Sequence, residues 1–327
     1  MSDHSSATVD NGPPILAPGL WWGASGVLAF SLTVPLTRVA VSGGLSPVFT
    51  GTGRAVVAGA LAGVVLLVTG QHRRRPRSRQ WLRLGLVTAG VVVGFPVCTS
   101  LALQDVPATH GAVVIAALPA ATAAVTVLRT GERAGARFWG AAVLGAVAAA
   151  TAGVLHGGGT GGGLHSADLL LLAAVATGAV GYAEGGLLSR ELGSWQTICW
   201  ALVLGSPVMV VLAVASAPGA QVAGSEWPEW SAVGTDAWAA FGYLSVVSMF
   251  LGFFAWYRGL ALGPMLQVSQ VQLVQPLLSI AWAALLLGEQ VTLPTLLSGL
   301  LVIACAATAV RARTTPSRPH TVMEEKP

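Results

Sequence analysis

Gln267, Gln270, Gln272 and Gln275 fall within nine residues of an otherwise apolar run that opens at Pro264 and also holds Ser269 and Ser279. An amide offers donors and an acceptor without a charge, so it can hold a polar solute at no cost of burying an ion. At about 100° per residue, the four glutamines spread over roughly 200° of a helix. Four amides against lipid would be expensive, so this helix must face protein or water. Counting about 1.5 Å per residue puts Gln275 and Pro276 roughly at mid-membrane. Pro276 has no N–H for the carbonyl of Gln272. One reading is a solute-binding site made by Gln270, Gln272, Gln275 and that carbonyl. The alternative is amide bonding between helices, about 0.6–2 kcal/mol per bond.

The ionisable residues are few. Glu184 is the only carboxylate well inside an apolar run. It could carry a coupling proton or meet a cationic solute; alternatively it is an interfacial residue paired with Arg190. Arg54 either snorkels to the surface or points inward to an anionic group. His110 reads as a polar residue at a helix end. Tyr182, Trp256 and Tyr257 could stack an aromatic solute or simply pack. Cys98, Cys199 and Cys305 lie singly in apolar runs, as buried small residues do. The sequence has no His-Glu-x-x-His, no Gly-x-Ser-x-Gly and no paired intramembrane aspartates. The glycine run 157–163 lacks the Gly-Lys-Ser/Thr ending that grips phosphate. No metal, cofactor, ATP site or enzymatic activity is expected, although an integral membrane enzyme is the rival outside the transport class.

These residues sit in a chain of 327 residues that is 54% hydrophobic and 9% charged. A soluble domain carries about 25% charge, so lipid is the expected solvent. Apolar runs of bilayer-crossing length give ten spans: 19–40, 47–70, 81–103, 109–129, 137–156, 167–189, 196–217, 237–258, 265–287 and 292–310. Residues 1–18 read as a disordered tail without a signal peptide, and 311–327 as a second polar tail. With the N-terminus in the cytoplasm, fifteen of the seventeen Lys and Arg fall in or beside cytoplasmic segments; only Arg38 and Arg54 do not. That placement satisfies the positive-inside rule and puts both termini in the cytoplasm. The basic run 71–80 is a short loop between spans, which argues against nucleic acid. Small-residue stretches at 140–153 and 304–309 suit helix packing within one chain or in a homodimer.

The spans repeat. Pro107, Pro119 and Gly131-Glu132 recur as Pro264, Pro276 and Gly288-Glu289, each 157 positions on, and Trp81 recurs as Trp238. The units are 19–156 and 167–310, joined by the Gly-rich linker 157–166. Five spans per unit is odd, so the expected fold is all-α with ten transmembrane helices in two inverted five-helix repeats. Such repeats can exchange conformations about a site near the midplane. Gly131 and Gly288 suit helix ends, and Glu132 and Glu289 suit the first turn of the helix that follows. These, with Pro119 and Pro276, read as hinges or caps.

The chain resembles the drug/metabolite transporter superfamily, specifically the EamA-type ten-helix transporters. The resemblance rests on the paired Pro-x11-Gly-Glu elements, Trp22-Gly23, Ser46-Pro47 with Arg54, and Leu262-Gly263-Pro264. It implies a secondary transporter moving small metabolites, amino acids or toxic compounds across the cytoplasmic membrane, often outward, with uptake as the alternative. It also implies a cavity lined by the first four helices of each repeat. The fourth span departs from the pattern in being almost wholly apolar, so polar contacts are expected mainly from the second half.

Overall fold

The computed structural model describes residues 18–131, 135–156, 166–219, 221–222, 225–226, 229–262, 268 and 271–312, a few of them as backbone only. Glu132, Pro264, Gln267, Ser269, Gln270 and the glycine run 157–163 lie outside the described residues.

Among the described residues ten apolar helices follow one another: α1 (Pro18–Ser42), α2 (Pro47–Val68), α3 (Ser78–Ala102), α4 (Ala108–Thr130), α5 (Ala136–His156), α6 (Ser166–Leu192), α7 (Ser194–Ala215), α8 (Thr235–Leu262), α9 (Gln272–Leu287) and α10 (Leu293–Ala312). Seven are long and apolar enough to cross a bilayer, while α5, α9 and α10 contribute the shorter apolar stretches Ala136–Ala148, Gln272–Leu287 and Leu293–Thr308 among the described residues. Among the described residues the only β structure is a ribbon in the α7–α8 loop, β1 (Gln221–Val222) against β2 (Ser225–Glu226). Leu67, Val68, Val214 and Leu285 are more than 60% exposed. Such an apolar exterior is what lipid covers. Trp21, Trp22, Trp139 and Trp230 are exposed near helix ends, as an interfacial belt requires.

Local chemistry explains the helix ends. Ser46 Oγ accepts the Phe49 N–H at 3.3 Å, and Pro47 begins α2, a side-chain cap followed by a residue that needs no partner for its nitrogen. Gly131 and Gly288 close α4 and α9 at φ 71° and 64°. That left-handed conformation suits a residue without a Cβ.

The two halves pack symmetrically. α2 lies on α7, α4 on α9 and α5 on α10, while α1 on α8 matches α6 on α3. The mates α4 and α9 run antiparallel, because Glu289 beyond the end of α9 binds the first amides of α4. Backbone irregularities repeat at the same offset. α3 widens to a π-helix at Thr88–Gly94 and α8 at Leu244–Gly252; moving the first by 157 positions lands inside the second. α4 breaks at 116–117, before Pro119, and α9 carries a 3-10 turn at Gln272–Val274, before Pro276. Small residues let the crossings close. A Cβ on Gly26 would stand 2.9 Å from the Trp256 nitrogen, and one on Gly90 2.5 Å from the Thr177 carbonyl. The small-residue faces of α5 and α10 meet within the chain, where a Cβ on Gly145 would lie 3.0 Å from Cys305 Cβ.

Candidate functional site

The two proline breaks face one another across a cavity. Its lining comes from Val34 of α1, Ala112, Ile115, Leu118 and Pro119 of α4, and Gln272, Gln275, Pro276 and Ser279 of α9. Pro119 leaves the carbonyl of Ile115 without its helical donor, because the ring nitrogen cannot donate. The Gln272 carbonyl, which loses the Pro276 nitrogen in the same way, accepts the Gln275 N–H in the 3-10 turn instead, so it is not the open acceptor expected from the sequence. Gln272 and Gln275 are 3% and 7% exposed, and among the described residues Gln272 Nε2 and Gln275 Oε1 have no hydrogen-bond partner. One unmet donor and one unmet acceptor therefore line an apolar, uncharged space. The space between these side chains, counted together with its opening to solvent, is about 260 Å³. It is narrow, with room for roughly one water molecule. A solute of amino-acid size enters only if α4 and α9 move apart.

Ser279, at the edge of this cavity, is already engaged. Pro35 breaks α1 at Leu32 and leaves the carbonyl of Ser31 without its helical donor. Ser279 Oγ donates to that carbonyl at 2.7 Å, and Trp282 Nε1 donates to Ser31 Oγ at 3.0 Å. The break in α1 is thus stitched to α9. Ser279→Ala should cost about 1 kcal/mol, the usual size of one interhelical bond. Thermal unfolding in detergent would show it as a small drop; no drop would mean that another group takes over the carbonyl.

Arg54 does not snorkel. It is 1% exposed, and among the described residues no hydrogen bond or ion pair reaches it. Tyr182 and Trp256 are buried in an aromatic cluster with Phe30 and Phe253, where Phe30 and Phe253 lie 4.9 Å apart and Tyr182 and Trp256 6.1 Å. Tyr257, beside them, donates to the Gly181 carbonyl at 3.3 Å. None of these four residues lines the α4–α9 cavity.

Glu184 is buried and paired, among the described residues not with Arg190. Arg83 Nε holds one carboxylate oxygen at 2.9 Å, and Arg129 Nε holds the other. Arg83 also reaches Glu191 at 2.5 Å. Six residues along a helix turn through about 240°, so Arg190 leaves the face that Glu184 presents to α3 and α4. The network ties two helices of the first repeat to α6 of the second.

At the opposite end His110 is more than a polar helix terminus. It is 4% exposed, and its Nε2 lies 2.8 Å from Asp168 Oδ1, itself 2% exposed. Glu289 does not serve the helix that follows it, as the sequence led us to expect. Its carboxylate accepts the N–H groups of Ala108 and Thr109, both at 2.7 Å. The free amides at the start of α4 and their partial positive charge explain this choice. Sequence reasoning missed Asp168, Arg83, Arg129 and the π-helices. No local spacing links residues 83, 129 and 184; the 157-residue offset was the one signal available, and it aligns irregularities without announcing them.

A model of the EamA-like transporter family matches residues 17–153 and again 165–311. The chain belongs to the EamA-like transporter family. Its two matches are the two repeats, and an EamA-like chain with these helices is a multi-pass membrane transporter. It is 42% identical over 289 residues to a Bacillus subtilis (strain 168) protein named uncharacterized transporter YdeK, covering 88% of this chain and 96% of that one. A solved crystal structure shares the fold at a TM-score of 0.61 and 20% identity, over 91% of this chain and 99% of that chain.

Proposed function

We propose that this EamA-like chain is a secondary-active exporter of a small organic solute, an amino acid, an analogue or a drug-like compound. It moves the solute across the cytoplasmic membrane by alternating access and without enzymatic activity. The observation that carries the reading is the pair of unpartnered amide ends, Gln272 Nε2 and Gln275 Oε1, in the cavity between the two proline breaks. Buried polar atoms are normally satisfied, and a solute with its own acceptor and donor completes both. Breaks placed symmetrically in α4 and α9 are where a discontinuous helix meets its cargo in inverted-repeat transporters.

Orientation follows from charge. Arg83 and Arg129 meet at one end of the bundle, the end that carries the basic 71–80 segment, and positive charge marks the cytoplasmic side. Both termini then face the cytoplasm. The outward direction rests on the family likeness.

A growth screen tests the reading. The chain is expressed in a sensitive host and challenged with amino acids, amino-acid analogues and cationic drugs, with Gln275→Leu alongside. Resistance with lowered cell content, lost in the variant, is the expected result. Sensitisation with raised content would replace export by uptake. No change across the panel, with the protein in the membrane, would remove this solute class.

A further inference from the structure

We propose that the loop between α2 and α3 binds an anionic phospholipid, with the loop arginines on its phosphate and the exposed leucines beside them on its acyl chains. The site is separate from the α4–α9 cavity, and it does not depend on what the chain transports.

Arg73, Arg74, Arg75, Arg77 and Arg79 stand close together in sequence, and all of them are exposed. Among the described residues no carboxylate pairs with any of them; at this end Glu184 and Glu191 are taken by Arg83 and Arg129. Marking one side of a membrane needs an excess of positive charge, but not so many cations in so short a loop. Crowded like charges repel, and an anion from outside the protein relieves them. Every cation of the loop is an arginine, whose planar guanidinium presents paired N–H donors that match two phosphate oxygens.

The loop is short and shaped. Gly70 turns the chain at φ 69°, and a 3-10 turn follows at Gln71–Arg73. Pro76 is buried, and the Arg77 N–H donates to Gln80 Oε1 at 2.9 Å, just ahead of α3. The charges therefore sit at a fixed level where two helices leave the membrane.

The surface next to the loop favours a lipid over a free anion. Arg79, Leu82 and Leu86 are all exposed. Spaced three and four residues apart on α3, they share one face to within about 60°. A rise of about 1.5 Å per residue puts the two leucines about 5 and 10 Å deeper along the helix axis than the arginine. Val64, Leu67 and Val68 form a second exposed apolar stripe at the end of α2. Trp81 meets Trp200 edge-on at 5.4 Å beside Arg79, an aromatic pair of the kind found at head-group level. A phosphate with hydrocarbon chains running down from it matches both the cations and the stripes, whereas inorganic phosphate would use the cations alone.

The experiment uses the full chain, stripped of lipid in detergent, where orientation in a membrane cannot affect the result. Phosphatidylglycerol and phosphatidylcholine with identical chains are titrated in, and bound lipid is read by native mass spectrometry. Each arginine near an anionic surface contributes about fivefold in affinity, so phosphatidylglycerol should bind at least about tenfold more tightly than phosphatidylcholine. Its affinity should fall about fivefold in Arg79→Gln and more than about tenfold in the double variant Arg73→Gln/Arg74→Gln. It should hold in Arg137→Gln, which removes an exposed cation from the start of α5 instead. Glycerophosphoglycerol, the same head group without chains, should bind at least about tenfold more weakly than the lipid, since it buries no hydrocarbon. Equal affinity for the two lipids overturns the site, as does phosphatidylglycerol affinity unchanged in both loop variants. A loss as large in Arg137→Gln would mean diffuse charge attraction and overturns it too. Glycerophosphoglycerol or inorganic phosphate displacing the lipid at equal concentration would leave an anion site and overturn the lipid assignment. Should a variant misfold, the ratio of the two lipids and the head-group competition on the parent chain still decide.

Discussion

Gln275→Leu should remove most transport while leaving the protein at least as stable as the parent. Gln275 Oε1 lacks a partner in the unloaded cavity. Losing a hydrogen bond that forms only with bound solute in a dry site costs about 1–3 kcal/mol, or about 5- to 150-fold in binding. The same change exchanges a buried, unsatisfied amide for an apolar group of similar size, and such exchanges are neutral or stabilising. Amide bonding between helices makes the opposite forecast, with stability and membrane abundance falling together and transport falling only in proportion. Transport per molecule and thermal midpoint, measured on the same preparations, separate the two. A variant that is less stable but normally active per molecule would show Gln275 to be a structural tie.

The second large effect lies at the basic end. Replacing Arg83 and Arg129 together by methionine should destabilise the chain by about 3–5 kcal/mol, the cost of stranding a buried charge. Glu184 is 1% exposed, whereas Arg83 and Arg129 are 17% and 48% exposed. Removing the arginines therefore strands a carboxylate, but removing the carboxylate leaves arginines that can reach water. Arg129→Met alone should cost no more than about 1 kcal/mol, as half-exposed pairs do. Adding Glu184→Gln to the double variant should restore most of the lost stability. Thermal midpoint and membrane yield would show both steps. A double variant as stable as the parent would mean that Glu184 has other partners.

Much of the architecture was legible before any tertiary contact was known. The scarcity of charge makes lipid the solvent, and inside lipid every backbone amide needs a partner within its own helix. Helix length and number follow from that demand. Pro119, Pro276, Gly131 and Gly288 announced breaks and ends because their conformational limits are local, and the structure has them there. Gln272 and Gln275 drew attention because an amide in an apolar run needs a polar partner, in a solute or in another helix; both line the cavity.

The errors concern partners distant in sequence. Sequence reading offered Arg190 as one possible partner of Glu184 and the next helix as the one that Glu289 serves, because it favours near neighbours. Rotation about the α6 axis and the antiparallel placement of α4 against α9 assigned different partners. Ser279 resembled its neighbouring glutamines, but Pro35, far away in α1, had left a carbonyl that claimed it.

By itself the sequence determined the solvent, the ten helices, their duplication and the positions where helices must break, since each follows from the chemistry of single residues or a fixed spacing. Tertiary structure decided which buried polar groups are satisfied. Gln272, Gln275 and Arg54 are left unpartnered, while Glu184, Asp168, Ser279 and Glu289 are engaged. The physical reason is that a charge or hydrogen bond in an apolar interior acts only over contact distance, and contact between helices is created by packing.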